Sequence, residues 1–176
     1  MKKVIKKIAV TAALTFTMFS LMGCGLVKSM KGKVPDEWYD VTRDLYIKAF
    51  SENWSGTYGE VQAIEDYTDK SKKFGYYLVD LDGDGNDEFL VGFDDGSKAT
   101  AFTDVYIWHS DFGAYRIFFG GGGSTYYYLC TDKTLKETSF YGNQPTERFL
   151  KYNKEGNSFE ILEKGGEPMK VELTYF

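Results

Sequence analysis

Histidine and cysteine are almost missing from this sequence. His109 is the only histidine, and Cys24 and Cys130 are the only cysteines. One imidazole leaves little material for a His-rich metal site, and adjacent Ser110 and Asp111 do not make His109 a catalytic base. Neighbouring residues on a strand or turn point apart, whereas a triad is assembled from separated positions. Basic charge is also short: 21 Lys and Arg stand against 26 Asp and Glu. That balance excludes nucleic acid as a partner and disfavours peripheral binding to anionic lipid, since both need a basic face. Long apolar runs are confined to the N-terminus, where about fifteen uncharged residues, Ile8 to Met22, fall short of the roughly 20 that a spanning helix requires.

That N-terminal run has its own logic. Lys2, Lys3, Lys6 and Lys7 precede it, and Gly23-Cys24 follow. The order is that of a secretory signal, so residues 1–23 are excluded from the fold. Four of the 21 basic residues leave with it, so 17 face 26 acids and the mature chain carries a net charge of −9. Residues 24–34 are small, lysine-containing and aperiodic, and read as a tether. Residues 35–176 are long enough for one domain with its own core.

Within that domain, Pro35 and the acids Asp36 and Glu37 open an amphipathic helix expected over residues 36–53. Trp38, Val41, Leu45 and Ala49 form its stripe, which Tyr46, Phe50 and Trp54 widen, and Gly56 and Gly59 end it. A short second helix is expected between Val61 and Tyr67. Beyond Phe74 the sequence turns to short runs of Tyr, Phe, Val, Ile and Thr. The expected strands are Gly75–Val79, Glu88–Phe93, Thr103–Trp108, Ala114–Phe119, Thr125–Thr131, Lys136–Tyr141, Arg148–Asn153, Ser158–Glu163 and Met169–Tyr175. Turns are marked by Asp95-Gly96, Phe112-Gly113, Gly142-Asn143 and Glu155-Gly156-Asn157. The fold class is therefore α+β: an N-terminal amphipathic helix packed on a mainly antiparallel, meander-type sheet, curled or barrel-like.

The stretch "DLDGDGNDEF", Asp80 to Phe89, gathers five acids and two glycines into ten residues. Counting from Asp80, acidic oxygens fall at positions 1, 3 and 5 as Asp80, Asp82 and Asp84. Gly85 takes position 6, Asn86 would offer its carbonyl at position 7, and Glu88 stands at position 9. Alternate spacing turns these groups to one side of a tight loop and offers a hard cation several oxygens. Without a cation the crowded carboxylates repel one another. Oxygen donors without Cys or His favour calcium over soft metals, and the flexible loop favours it over magnesium.

The Asp-x-Asp-x-Asp-Gly spacing resembles the calcium loops of EF-hands, dockerins and integrin-type propellers. Val91 holds position 12, where an EF-hand has a bidentate Glu, and the flanks "YYLV" and "FLVG" are strand-like. The resemblance thus implies the metal site and not the fold. Leu21-Met22-Gly23-Cys24 resembles a lipobox, with Met22 in place of the usual small residue. It implies diacylation of Cys24 and anchoring to the outer face of the bacterial membrane, each buried CH₂ contributing about 0.8 kcal/mol. Lipobox, helix, "YYLVDLDGDGNDEFLVG" and Tyr/Gly-rich strands together resemble a group of uncharacterised lipoproteins of Gram-positive anaerobes. That resemblance supplies a location and a metal but no mechanism.

Other signals are weaker. Cys130, in "YYYLC", reads as a buried inert thiol. Gly120 to Gly123 lack the lysine of a phosphate loop, and read as a wide turn or a backbone approach to a ligand. Tyr126 and Tyr128 should share one sheet face, with Tyr127 and Leu129 on the other. Two functional classes stay open: a binding module for a protein or glycan ligand, which is favoured, and an exported hydrolase or an inhibitor of an extracellular enzyme.

Overall fold

The computed structural model describes residues 36–109, 113–141, 144–153 and 158–176. The leader, Cys24, the tether and Pro35 lie outside these residues, as do Ser110, Asp111 and Phe112 and the turns expected at Gly142-Asn143 and Glu155-Gly156-Asn157. The chain is mostly one antiparallel β-sheet with few helices, and the sheet is curled and open.

A 3₁₀ turn, Asp36–Tyr39, leads into α1, Asp40–Ser51. The buried face of α1 is Thr42, Tyr46 and Ala49, and Val41 is 75% exposed. The expected stripe through Val41 is therefore rotated. The ring of Tyr46 fixes the rotation. It lies edge-on to Tyr106, stacks on Phe176 with centroids 5.2 Å apart, and its hydroxyl is 3.1 Å from that of Tyr106. The helix also ends earlier than Gly56. Asn53 and Trp54 adopt left-handed φ values of 48° and 57°, and the Trp54 N–H donates to the Ala49 carbonyl at 2.8 Å. In place of a helix over 61–67 stands a single turn, α2, Glu65–Thr68.

Among the described residues nine strands follow: β1 Lys73–Val79, β2 Glu88–Asp94, β3 Ala101–His109, β4 Gly113–Phe119, β5 Thr125–Leu129, β6 Leu135–Tyr141, β7 Gln144–Asn153, β8 Ser158–Leu162 and β9 Thr174–Tyr175. Their order is β8-β7-β6-β5-β3-β2-β1-β9. β4 pairs with β3 off this path. The meander thus forks at β3. Asp104 to His109 pair with β4, while Ala101 and Phe102, on the same edge, pair with β5.

The glycine run makes the fork. The Gly120 N–H donates to the Thr103 carbonyl and the Gly121 N–H to the Thr125 carbonyl, both at 2.6 Å. A Cβ on Gly120 would collide with the Thr125 carbonyl oxygen, and one on Gly121 (φ +91°) with the Ile64 side chain. Gly120 and Gly121 are therefore a crowded crossover, and Gly122 and Gly123, where a Cβ would meet nothing within 4 Å, form the open turn that follows. What the backbone of the run approaches is a side chain of this protein: the Gly122 N–H donates to Asp66 Oδ2 at 2.5 Å.

The last strand is shorter than Met169–Tyr175. Its first half instead forms a strap between β3 and β5. The Thr100 N–H donates to the Met169 carbonyl, and the Met169 N–H to that of Leu129. Val171 N–H donates to Thr100 Oγ1 at 3.1 Å.

Alternation along the strands loads both faces. Phe89, Val91, Phe93 and Tyr106 join Tyr39, Tyr46 and Ala49 in one core. Leu90, Phe102, Val105, Tyr127, Leu129, Leu135 and Leu150 form the other. β2 is buried on both faces, which explains its unbroken apolar run. Tyr126 and Tyr128 pack against the first core and Tyr127 and Leu129 lie in the second, as strand periodicity requires. No helix among the described residues is long and apolar enough to cross a membrane.

Candidate metal centre

The acidic loop is the connection of the β1–β2 hairpin, whose last rung is Val79 with Glu88. Gly83 and Gly85 have φ of +80° and +87°, and a Cβ on either would meet nothing within 4 Å. Backbone conformation, not crowding, therefore selects glycine there.

Asp80 organises the turn. Its Oδ1 accepts the Gly83 and Asp84 N–H groups at 2.7 and 3.1 Å, and its Oδ2 accepts the Gly85 N–H at 3.1 Å. Asp82 Oδ1 accepts the Asp84 N–H at 3.1 Å. Glu88, 5% exposed, points inward, and its Oε2 accepts the Leu81 N–H at 2.7 Å. One carboxylate oxygen from each of Asp80, Asp82 and Glu88 falls within 4.8 Å of the others. Asp84 stands outside this set. Its two oxygens accept the backbone N–H and side-chain amide of Asn86 at 2.7 and 2.8 Å. Asp80, Asp82, Asp84, Asn86 and Glu88 were expected to hold the ion, and the carboxylates of three of them converge here.

The electrostatics follow from that geometry. Burial pushes the Glu88 carboxyl up from 4.5 to about 8, and the charges of Asp82, Asp84 and Asp80 add to it against the opposing Leu81 hydrogen bond. Tyr152 on β7 faces the same field. Burial, then Glu88, Asp82 and Asp84, push its hydroxyl up to about 12. Lys133 Nζ lies 3.8 Å from Asp80 Oδ2, but it is half exposed and offsets little. The donor set is all oxygen, with one inward and two half-buried carboxylates, and suits a hard divalent cation. Asp80 Oδ2 and Glu88 Oε2 each accept one N–H and keep a second lone pair for a ligand bond, whereas Asp80 Oδ1 accepts two. The loop also touches the N-terminal turn, where the Tyr39 hydroxyl donates to the Asp87 carbonyl at 3.0 Å.

The remaining sequence candidates separate. Cys130 is 1% exposed and free, and burial raises its thiol pKa. His109 closes β3 opposite Gly113. Cys24 lies outside the described residues.

Among the buried carboxylates that sequence reasoning missed are Asp104 and Asp66. Asp104, fully buried on β3, accepts the Tyr67 hydroxyl at 2.5 Å, the Thr103 hydroxyl at 3.0 Å and Arg116 Nη1 at 3.2 Å. Desolvation raises its pKa, and Tyr67 and Arg116 oppose the rise. Asp66, 4% exposed, is held by Lys72, the Tyr126 hydroxyl and the Gly122 N–H. The signal for Asp104 was an acid inside the apolar run "FTDVYIW". Both carboxylates have their lone pairs taken by the fold and act as internal struts.

Comparison with protein-family models, with curated proteins and with solved structures yields no match to this chain.

Proposed function

We propose that the chain is an exported protein, anchored by lipid at Cys24 to the outer face of the bacterial membrane. Its α+β body, with α1 on the sheet, holds one structural calcium ion and serves as a binding module for a protein or glycan ligand. The carrying observation for the metal is the convergence of Asp80, Asp82 and Glu88 at the end of a rigid hairpin, with Glu88 turned inward. These three residues would hold the ion; the bonds between Asn86 and Asp84 use the Asn86 N–H and side-chain amide, so the Asn86 carbonyl expected at position 7 could join without breaking them. Calcium would supply the positive charge that offsets the carboxylate repulsion. The lipid anchor rests on the sequence alone: four lysines, an uncharged run and Leu21-Met22-Gly23-Cys24.

A ligand of the folded state raises stability by mass action. Calcium at tenfold its dissociation constant should add about 1.4 kcal/mol, and at hundredfold about 2.7 kcal/mol. The larger figure should raise the melting temperature by several degrees, equal magnesium should do much less, and Asp82→Ala should abolish most of the effect. A melting curve indifferent to millimolar calcium and to chelator would overturn the metal assignment.

A further inference from the structure

A second concave site lies away from the acidic loop, and its inference does not rest on the metal. Between the end of α1, residues 67–74 and the Tyr175–Phe176 segment is a cavity of about 540 Å³, within the range of small-ligand pockets. Its wall is aromatic, with Phe50, Trp54, Tyr67, Phe74 and Phe176 contributing. The wall is a rigid assembly: Trp54 stacks on Tyr67 at 4.5 Å, and Phe50 stacks on Phe74 and Phe176 at 5.3 and 5.5 Å. Trp54 reaches it from a left-handed backbone, φ 57°, next to Asn53 at φ 48°. Bulky residues rarely adopt that conformation, and it persists where surrounding contacts enforce it.

The rim carries the opposite chemistry. Lys70, Lys72 and Lys73 line the cavity with one acid, Asp69, in a chain whose net charge is −5. Lys72 is engaged by Asp66, lies 3.8 Å from Asp69, and sits over the Phe93 ring. Asp69 is further occupied by the N–H and hydroxyl of Ser71. Lys70 and Lys73 are exposed and form no ion pair among the described residues; Lys73 stands opposite Asp94 on β2, whose carboxylate is paired with Lys170 at 2.8 Å. An aromatic wall under two exposed cations is complementary to one class of ligand. We propose that this cavity binds a small aromatic anion, its ring against the aromatic wall and its carboxylate, sulfonate or phosphate group toward Lys70 and Lys73. A neutral sugar would leave both cations unused, and a cationic ligand would be repelled by them.

The test uses anilinonaphthalene sulfonate as the probe and neutral phenylnaphthylamine as its uncharged counterpart. Fluorescence titration and calorimetry are run on the folded full chain. The expected result is a single saturable site for the sulfonate. Lys70→Glu/Lys73→Glu should weaken it at least about tenfold, since two attractions become two repulsions. Binding of the neutral dye should change little between parent and variant. If the double variant melts early, the parent alone decides. Raising salt to about 0.5 M should weaken the sulfonate several-fold, because rim charges are screened. Non-saturable binding, equal affinity in parent and folded variant, or affinity insensitive to salt would each overturn the assignment.

Discussion

Glu88→Gln tests the electrostatics of the acidic loop directly. In the metal-free protein the Glu88 carboxyl titrates near 8 instead of 4.5, because it is buried and faces three aspartates. A folded-state pKa raised above the unfolded value means the folded state binds the proton more tightly. Stability is therefore highest below pH 4.5 for this group and is lost as pH rises through 8. The full loss corresponds to about 5 kcal/mol, or about 1.4 kcal/mol per pH unit across the window. This is an upper bound, because Asp80, Asp82 and Asp84 are partly exposed and solvent screens them. Glutamine keeps the acceptor for the Leu81 N–H and has the shape of the protonated acid. Denaturant unfolding in chelator, at several pH values between 5 and 9, should show parent and variant nearly equal at pH 5. The variant should lead increasingly toward pH 9. With calcium present the order should reverse at neutral pH, since the variant has lost a charged ligand. Parallel pH profiles without metal would refute the reasoning.

Other expectations concern single residues. Gly92→Ala places a Cβ against the Ala101 carbonyl and within 2.8 and 2.9 Å of Phe102 Cδ1 and Cα. It should cost about 1–3 kcal/mol, read as a lower denaturation midpoint, and an unchanged midpoint would show that β2 and β3 separate easily. Cys130, buried with a raised thiol pKa, should resist a thiol reagent in the native state and react fully on unfolding; rapid native labelling would argue for a reactive thiol. Cys24→Ser should abolish lipid labelling and release the protein from the membrane fraction, and a variant that stays with membrane and keeps its N-terminus would contradict the anchor.

The strands were legible because β-branched and aromatic runs are bounded by Gly, Asn and Asp, and eight of the nine lie close to their expected positions. Their pairing at β3 was not, since the fork depends on how closely Gly120 and Gly121 approach Thr103, Thr125 and Ile64. The helix face shows a similar limit. Spacings of three and four run through Val41 as readily as through Thr42, and the choice is made by Tyr46 meeting Tyr106, sixty residues away. In the loop, acidic spacing located Asp80, Asp82 and Glu88, whereas the alternative partner of Asp84 is its neighbour Asn86. Local hydrogen bonding by short polar side chains competes with any longer-range role, and spacing does not decide that contest.

The fork at β3 also has a thermal consequence. β1 and β2 share seven rungs, as do β6 and β7, but β3 and β5 share two, Ala101 with Tyr128 and Phe102 with Tyr127. Continuity between the halves of the sheet is carried there by side chains: Phe102, Tyr127, Leu129 and Leu150 in one apolar cluster, with the Met169 strap across it. A seam held by apolar contact more than by backbone hydrogen bonds has a large heat capacity of opening for its size. Its grip therefore weakens on cooling as well as on heating. The β5–β8 half should be the first cooperative unit to part from the rest in the cold, while the seven-rung ladders on either side stay closed.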